Sequence, residues 1–161
     1  MNRMNWNDYF LSIAALACDR GTCPRRKVGC VVVNVQHHIL GTGYNGNAPG
    51  QPHCIDNPCP GANDKHGDTS RCQAIHAEIN AIRNSIDMTG VVAAYITDSP
   101  CVKCAQAMVD WFPNLLNVYY LRPYTQEGID VLENNGVSCW HHKLEPGSKA
   151  EKICQLLNIL P

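Results

Sequence analysis

The chain has 161 residues, of which 45% are apolar and 17% charged, and its formal net charge is −1. This length fits one domain with its own hydrophobic core, so we expect residues 1–161 to form a single domain. The balanced charge excludes the basic footprint of a dedicated nucleic-acid-binding protein, and no apolar run approaches the roughly 20 residues of a membrane span. We therefore expect a small-molecule ligand, and neither nucleic acid nor a membrane as partner.

The N-terminal part of the sequence predicts a helix, a hairpin and a long loop. Apolar residues from Trp6 onward recur at helical spacing, which predicts a first helix that ends near Arg20. The ranges 28–35 and 38–44 read as two strands joined by a short turn, the pattern of an antiparallel hairpin. A Cys-rich loop follows over 45–72, and a loop of this length is usually functional or held by a metal.

The C-terminal part alternates helices and strands. The pattern predicts helices over 76–85, 101–112, 126–134 and 148–157, and strands over 91–97, 116–121 and 137–140. Such alternation favours parallel pairing of these strands. Together with the hairpin, it predicts an α/β fold of three layers, α/β/α, around a mixed sheet of about five strands.

Two short motifs carry the chemistry: His-Ala-Glu at 76–78 and Pro-Cys-Val-Lys-Cys at 100–104. Cys101 and Cys104 are three residues apart, so that one helical turn can present both thiolates to a cation, with His76 as third ligand. Three protein ligands leave the fourth tetrahedral position for water, which is typical of a catalytic zinc. A zinc of this kind lowers the pKa of its bound water to about 7.

Glu78 lies two residues beyond the histidine, where its carboxylate can touch the water without binding the metal. It is therefore our candidate for moving protons during catalysis. A redox pair or a purely structural zinc could also use Cys101 and Cys104. Neither alternative needs a glutamate at position 78. Both motifs read as helix starts, whose dipoles would favour the thiolates.

On this α/β frame the motifs resemble the cytidine and deoxycytidylate deaminase superfamily, which is marked by a His-x-Glu and Pro-Cys-x-x-Cys pair. Several segments are similar to the dCMP deaminase branch and the related bacterial late-competence protein. They are Thr-Cys-Pro-Arg-Arg-Lys-Val-Gly at 22–29, Gly-Thr-Gly-Tyr-Asn-Gly at 41–46, Pro-His-Cys at 52–54, the catalytic segment at 72–82, and Ser-Pro-Cys-Val-Lys-Cys at 99–104. The resemblance implies hydrolytic deamination of dCMP to dUMP and ammonia, which supplies dUMP for thymidylate synthesis.

The resemblance also implies a role for individual residues. His76, Cys101 and Cys104 would hold the catalytic Zn²⁺, and Glu78 would shuttle protons. The substrate would be bound by Asn45 at the sugar, by backbone groups of Ala77 and Ser99 at the base edge, and by Tyr124 near the phosphate. The family commonly has Gly-Tyr-Asn-Gly-x-Pro, whereas Pro49 comes one residue later here. The contacts that this turn makes in the family therefore do not transfer directly to this chain.

A second, structural Zn²⁺ is implied at four further cysteines. They are Cys23, Cys54, Cys59 and Cys72, with His66 as the alternative to Cys59. The alternative is that these cysteines are free thiols in the loop and bind no metal. Ten cysteines would also fit a secreted disulfide scaffold, but the N-terminal segment does not read as a signal peptide, so we expect a reducing, cytoplasmic location.

Regulation is the last property that the resemblance implies. Members of this branch are typically homohexamers, activated by dCTP and inhibited by dTTP, each with Mg²⁺. The effector site would be formed by Arg25, Arg26, Lys27, Gly43, Tyr44 and Gly46. A solvated basic turn is the alternative interpretation of the three cationic residues.

Two other functions stay open at this point. The first is a deaminase of the same fold that acts on cytidine, guanine, a pterin or riboflavin precursor, or the wobble adenosine of tRNA. The net charge of −1 disfavours a tRNA substrate. The second is a nucleotide-sensing or zinc-binding module without turnover, which the presence of Glu78 disfavours.

Overall fold

The computed structural model describes residues 3–63 and 70–160. In chain order its elements are α1 (Trp6–Asp19), β1 (Gly29–Val33), β2 (Ile39–Tyr44), α2 (Ala77–Asn84), β3 (Ala93–Asp98), α3 (Val102–Trp111), β4 (Asn117–Arg122), α4 (Gln126–Asn134), β5 (Ser138–His141) and α5 (Lys149–Leu156). Each predicted helix and strand is present at its expected place. Among the described residues, no helix combines the length and the apolar character that crossing a bilayer requires.

The five strands form one mixed sheet in the order β2-β1-β3-β4-β5. β1 pairs antiparallel with both β2 and β3, whereas β3 with β4 and β4 with β5 are parallel. β1 lies inside the sheet and all five of its residues are buried, which explains why its sequence is an uninterrupted apolar run. The predicted hairpin and the predicted parallel half are both confirmed.

Helices cover both faces of the sheet. Val31 and Val33 of β1 point to the side where Phe10 of α1 and Cys154 of α5 are buried. The alternate residue Val32 points to the opposite side, which is filled by side chains of α2, α3 and α4. The alternation along a strand thus feeds two cores, and the predicted α/β/α arrangement is confirmed.

The turn of the hairpin begins earlier than the sequence predicts. β1 ends at Val33 and not at residue 35. The side-chain Oδ1 of Asn34 accepts hydrogen bonds from the backbone N–H groups of Gln36 (3.0 Å) and His38 (2.8 Å). This local bonding replaces the strand ladder, as asparagine commonly does in turns.

A close approach between β2 and α2 fixes the position of the catalytic helix. A Cβ atom on Gly43 would lie 2.1 Å from the carbonyl oxygen of Ala77 and 2.4 Å from the backbone nitrogen of Ala81. Only a residue without a side chain lets the helix pack this near to the strand. Gly43, near the end of β2, therefore serves to dock α2, which begins next to His76.

Candidate active site

Two of the three predicted ligands are helix N-cap residues. His76 is the N-cap of α2, and Cys101 is the N-cap of α3. Cys104 lies one turn inside α3. The N-terminal ends of both helices, which carry partial positive charge, thus adjoin the ligand atoms and favour anionic sulfur there.

The ligand atoms of these three residues lie within 4.8 Å of one another. Nδ1 of His76 is 3.6 Å from the sulfur of Cys101 and 3.2 Å from the sulfur of Cys104. Zinc bonds of about 2.3 Å to sulfur and about 2.0–2.1 Å to nitrogen would place tetrahedral ligands about 3.6 Å apart. The donor set and its spacing therefore fit one zinc ion, with Nδ1 as the nitrogen ligand and one position left open.

The electrostatics of the three side chains favour a thiolate. A hydrogen bond from the Cys104 thiol, with a further one from His76, lowers the pKa of Cys101 to about 3 against the effect of burial. The same hydrogen bond, together with burial, raises the pKa of Cys104. The hydrogen bond with Cys101 also raises the pKa of His76. One sulfur thus carries negative charge, and this charge attracts a cation.

Glu78 is buried in the first turn of α2, with 4% of its surface exposed. Burial raises the pKa of its carboxyl from 4.5 to about 7, although the nearby His76 acts in the opposite direction. A carboxyl group that exchanges its proton near pH 7 is suited to both accepting and donating protons. Its position two residues after His76 brings it beside the ligand atoms without making it one of them.

Asn45 directs both of its polar groups toward the segment after α1. Its Oδ1 accepts from the N–H of Val28 at 2.8 Å, and its Nδ2 donates to the carbonyl of Arg26 at 2.7 Å. The next residue, Gly46, exchanges two backbone hydrogen bonds with Ile75, which directly precedes His76. Asn45 therefore joins the Gly43–Gly46 turn, the 26–28 segment and the start of α2 at one place.

The other predicted substrate residues lie at the same edge of the sheet. The N–H of Ala77 belongs to the first turn of α2, where the helix itself provides no acceptor. Ser99 follows β3 and is buried; its backbone N–H is donated to the carbonyl of Arg122, and its Oγ accepts from the N–H of Tyr124 at 2.7 Å. Ser99 thus holds Tyr124, whose side chain is half exposed, next to the metal-binding segment.

The three consecutive basic residues contact three different parts of the protein. Nη1 of Arg25 donates to the carbonyl of Gly61 at 2.9 Å. Arg26 forms an ion pair with Asp98. Nζ of Lys27 donates to the carbonyl of Asp19 at 3.1 Å. The segment is therefore bonded to the fold, while the side chains of Arg26 and Lys27 remain 41% and 40% exposed.

Asp98 and Arg122 are site residues that the sequence analysis missed. They are register partners on the parallel strands β3 and β4, and Nη2 of Arg122 lies 2.5 Å from Oδ2 of Asp98. Arg26 binds the other carboxylate oxygen. A signal was present, because a single aspartate at the end of a wholly buried strand requires a partner.

The four cysteines of the predicted second site lie in one region, but among the described residues only His76, Cys101 and Cys104 bring three ligand atoms within 4.8 Å of one another. Cys54, Cys59 and Cys72 pack in one small cluster, and Cys23 interacts electrostatically with Cys54 and Cys72. Burial opposes ionisation of Cys59, but N–H groups of Gln73, Gly61 and Ala62 and the Cys54 thiol outweigh it and lower the pKa of Cys59 to about 7.

The other sulfurs of this cluster have backbone donors too. The N–H of Cys59 donates to the sulfur of Cys54 at 3.3 Å, and the N–H of Ala74 contacts the sulfur of Cys72. These donors stabilise thiolates, but burial outweighs them and raises the pKa of both Cys54 and Cys72. His66, the predicted alternative ligand, lies outside the described residues.

Comparison with known proteins supports the chemistry read from the site. The family model for the cytidine and deoxycytidylate deaminase zinc-binding region matches residues 4–119. A deoxycytidylate deaminase of Mycobacterium phage D29 is 40% identical over 113 residues, which cover 65% of this chain and 87% of the phage protein. The deoxycytidylate deaminase of Saccharomyces cerevisiae is 34% identical over 143 residues, or 84% of this chain. The chain spans only 44% of the yeast protein's length.

A solved structure agrees with the fold over nearly its full length. The dCMP deaminase of the cyanophage S-TIM5, in complex with dCMP and dUMP, superposes with a TM-score of 0.70 and 28% sequence identity. The match covers 86% of this chain and 98% of the phage chain. The similarity therefore extends beyond the metal-binding segment to most of the fold.

Proposed function

The chain belongs to the cytidine and deoxycytidylate deaminase family, and on this premise we propose that it hydrolyses dCMP to dUMP and ammonia. The observation that carries the proposal is the cluster of His76, Cys101 and Cys104 with the buried carboxyl of Glu78 beside it. The relatives at 34–40% identity are named as deoxycytidylate deaminases, which favours dCMP among the possible substrates.

His76, Cys101 and Cys104 would hold the catalytic zinc. When bound, zinc supplies a polarised water of lowered pKa as the nucleophile. Glu78 would take a proton from that water, pass it to the pyrimidine ring nitrogen, and later give one to the departing ammonia. A pKa of about 7 suits this alternation, because the carboxyl must act first as a base and then as an acid.

The remaining predicted residues complete the proposed substrate site. Asn45 would contact the sugar with the hydrogen-bonding capacity that its two backbone contacts leave free. The backbone of Ala77 and Ser99 would meet the base edge, and for Ser99 this leaves its carbonyl, since its N–H is already donated. Tyr124 would lie toward the phosphate.

The experiment that tests this function is ammonia release from the zinc-loaded protein with a panel of substrates. dCMP should be deaminated with a higher kcat/KM than CMP, deoxycytidine, dCTP, cytidine or guanine. A preference for another member of the panel would reassign the substrate. Binding of dCMP without turnover of any member would instead support a nucleotide-sensing module.

We further propose a second, structural Zn²⁺ at Cys23, Cys54, Cys59 and Cys72. The proposal is supported by the shared packing of Cys54, Cys59 and Cys72, by the electrostatic interaction of Cys23 with Cys54 and Cys72, and by the backbone N–H groups at the sulfurs of Cys54 and Cys59. Four cysteine ligands would close the tetrahedral shell, as in structural zinc sites. Such a metal would attach the loop to the segment after α1, where Arg25 already contacts Gly61.

Regulation by dCTP and dTTP with Mg²⁺ is also a proposal, together with a homohexameric assembly and a cytoplasmic location in which the thiols stay reduced. A cleft of about 520 Å³ lies directly after the Gly43–Gly46 turn and is lined by Asn47, Gln51, Pro52 and Gln73 among others. Its volume is in the range of small-molecule sites. None of the predicted effector residues lines this cleft; Arg25 comes near it through its hydrogen bond to the carbonyl of Gly61, which follows the lining residue Pro60.

The regulatory proposal predicts that dTTP with Mg²⁺ lowers turnover at sub-saturating dCMP and that dCTP raises it. Each effector must bind one conformational state more tightly, typically by about 1–3 kcal/mol. Lys27→Ala should blunt both responses, with Lys143→Ala as the exposed, charge-matched control. Wild-type rates that do not change with either nucleotide would refute the proposed regulation. Sedimentation analysis of the zinc-loaded protein tests the hexamer.

A further inference from the structure

The charges around Asp98 do not balance. Its carboxylate is almost fully buried and is shared by two guanidinium groups, those of Arg26 and Arg122. Thr97 donates a further hydrogen bond to Oδ2 at 2.9 Å. One negative and two positive charges leave a net charge of +1, and no other acidic group among the described residues forms an ion pair with either arginine. An excess positive charge of this kind attracts an anion.

The excess charge is accessible at Arg26. Its Nε and Nη2 both face Oδ1 of Asp98, whereas Nη1 hydrogen-bonds to none of the described residues. The side chain is 41% exposed, compared with 25% for Arg122. The guanidinium also lies over the ring of Tyr124, with 5.1 Å between its carbon and the ring centre. Asp98 and Tyr124 thus hold Arg26 in one orientation with a free donor edge.

This donor edge belongs to the same rim as the metal ligands. Asp98 precedes Cys101 by three residues, so their Cα atoms are at most about 11 Å apart. The backbone of Arg26 is bonded to Asn45, which adjoins the segment that enters His76. Arg26 therefore spans the two chain segments that supply the metal ligands, one through its main chain and one through its side chain.

We propose that Arg26 binds the 5′-phosphate of the nucleotide substrate, and that Asp98 positions Arg26 for this contact. A deoxycytidine monophosphate presents its base to the metal ligands and its phosphate dianion at the opposite end, beyond the sugar. The guanidinium fork is well matched to phosphate oxygens. This inference rests on the proposed function, since it names what distinguishes a nucleotide from a nucleoside at that site. It also assigns Arg26 to the substrate and not to an effector.

The test compares dUMP with deoxyuridine, which lacks only the phosphate. Calorimetric binding to the zinc-loaded protein needs no turnover. Arg26→Ala should weaken dUMP binding by roughly 10- to 100-fold, the range expected for lost hydrogen bonds between charged groups. Deoxyuridine binding and zinc content should stay within twofold of wild type. Arg26→Lys, which keeps the charge but loses the fork, should fall between wild type and Arg26→Ala.

Two further variants make the result specific. Arg20→Ala removes an exposed arginine six positions upstream and should leave dUMP affinity unchanged. Asp98→Asn should weaken dUMP more than deoxyuridine, but less than Arg26→Ala does, because the guanidinium remains and only its orientation is lost. Equal dUMP affinity in wild type and Arg26→Ala, or a wild type that binds dUMP no better than deoxyuridine, would overturn the inference. Failure to deaminate dCMP, with dUMP affinity still dependent on Arg26, would overturn only the proposed function.

Discussion

Gly128 of α4 lies directly against the main-chain carbonyl of Pro100: a Cβ atom at this glycine would stand 1.9 Å from that oxygen. Pro100 immediately precedes Cys101, the N-cap of α3 and a predicted zinc ligand. The position of α4 and the position of a metal-binding sulfur are therefore coupled through a contact that tolerates no side chain.

Gly128→Ala should destabilise the protein and weaken zinc binding. Alanine gains up to about 1 kcal/mol in a helix interior over glycine. Overpacking at a contact this short typically costs about 1–3 kcal/mol, and here it displaces backbone atoms. The cost of overpacking should therefore exceed the gain in helix propensity. Urea unfolding and zinc competition titration measure the two effects. Asn134→Ala, an exposed change on the same helix, is the control; increased stability in Gly128→Ala with unchanged zinc affinity would contradict the expectation.

Glu78→Gln should retain zinc and lose turnover. The residue is not among the three clustered ligand atoms, whereas proton transfer by a positioned carboxyl typically contributes about 10²–10⁴-fold in rate. Zinc analysis and ammonia release with dCMP check the two halves. Glu127→Gln makes the same chemical change at an exposed site on α4 and should keep wild-type activity. Near-normal rates in a zinc-replete Glu78→Gln protein would contradict the assigned role.

The metal-free protein should lose stability as the pH rises through Glu78's titration range. Because burial raises the pKa of Glu78 from 4.5 to about 7, the folded state binds this proton more tightly than the unfolded chain. The stabilisation of the folded state by this proton is fully present below pH 4.5 and is lost as the pH rises to about 7. The loss in the free energy of unfolding is about 3 kcal/mol. The free energy of unfolding of metal-stripped Glu78→Gln, taken relative to metal-stripped wild type, should therefore rise by about this amount between pH 4.5 and pH 8. Urea unfolding with a chelator measures it, and a difference independent of pH would refute it.

Metal analysis should give about two zinc ions per chain if the second site binds metal. Cys101→Ala should remove the catalytic ion, since it deletes one of three protein ligands. Cys54→Ala should remove the other ion and lower the melting temperature, while the rate per catalytic zinc persists. Cys139→Ala, which changes a half-buried thiol of β5 outside both clusters, is the control. One zinc per wild-type chain would refute the four-cysteine site.

The sequence predicted the elements because their signals are local. The apolar run of β1 and the helical spacing after Trp6 are visible without knowledge of the fold, and the metal motif is confined to 76–104. The Asp98–Arg122 pair was not predictable in the same way, because it depends on the register of two strands from different parts of the chain.

The basic segment shows a second limit of sequence reasoning. Arg25, Arg26 and Lys27 read as one cationic cluster, and this suggested a triphosphate site. In the structure their side chains diverge to Gly61, Asp98 and Asp19. Adjacency in sequence therefore does not by itself place three side chains on one surface.

The placement of the four-cysteine cluster has a topological consequence. Cys23 lies before β1, whereas Cys54, Cys59 and Cys72 follow β2, so the whole hairpin lies between the first cysteine and the others. A cation held by all four sulfurs would act as a reversible cross-link around it and would remove conformational freedom from the unfolded chain, as a disulfide does. In a reducing compartment this cross-link would open and close with the supply of free zinc and not with the redox state of the surroundings. The folding of β1 and β2 would then depend on metal availability before any substrate is bound.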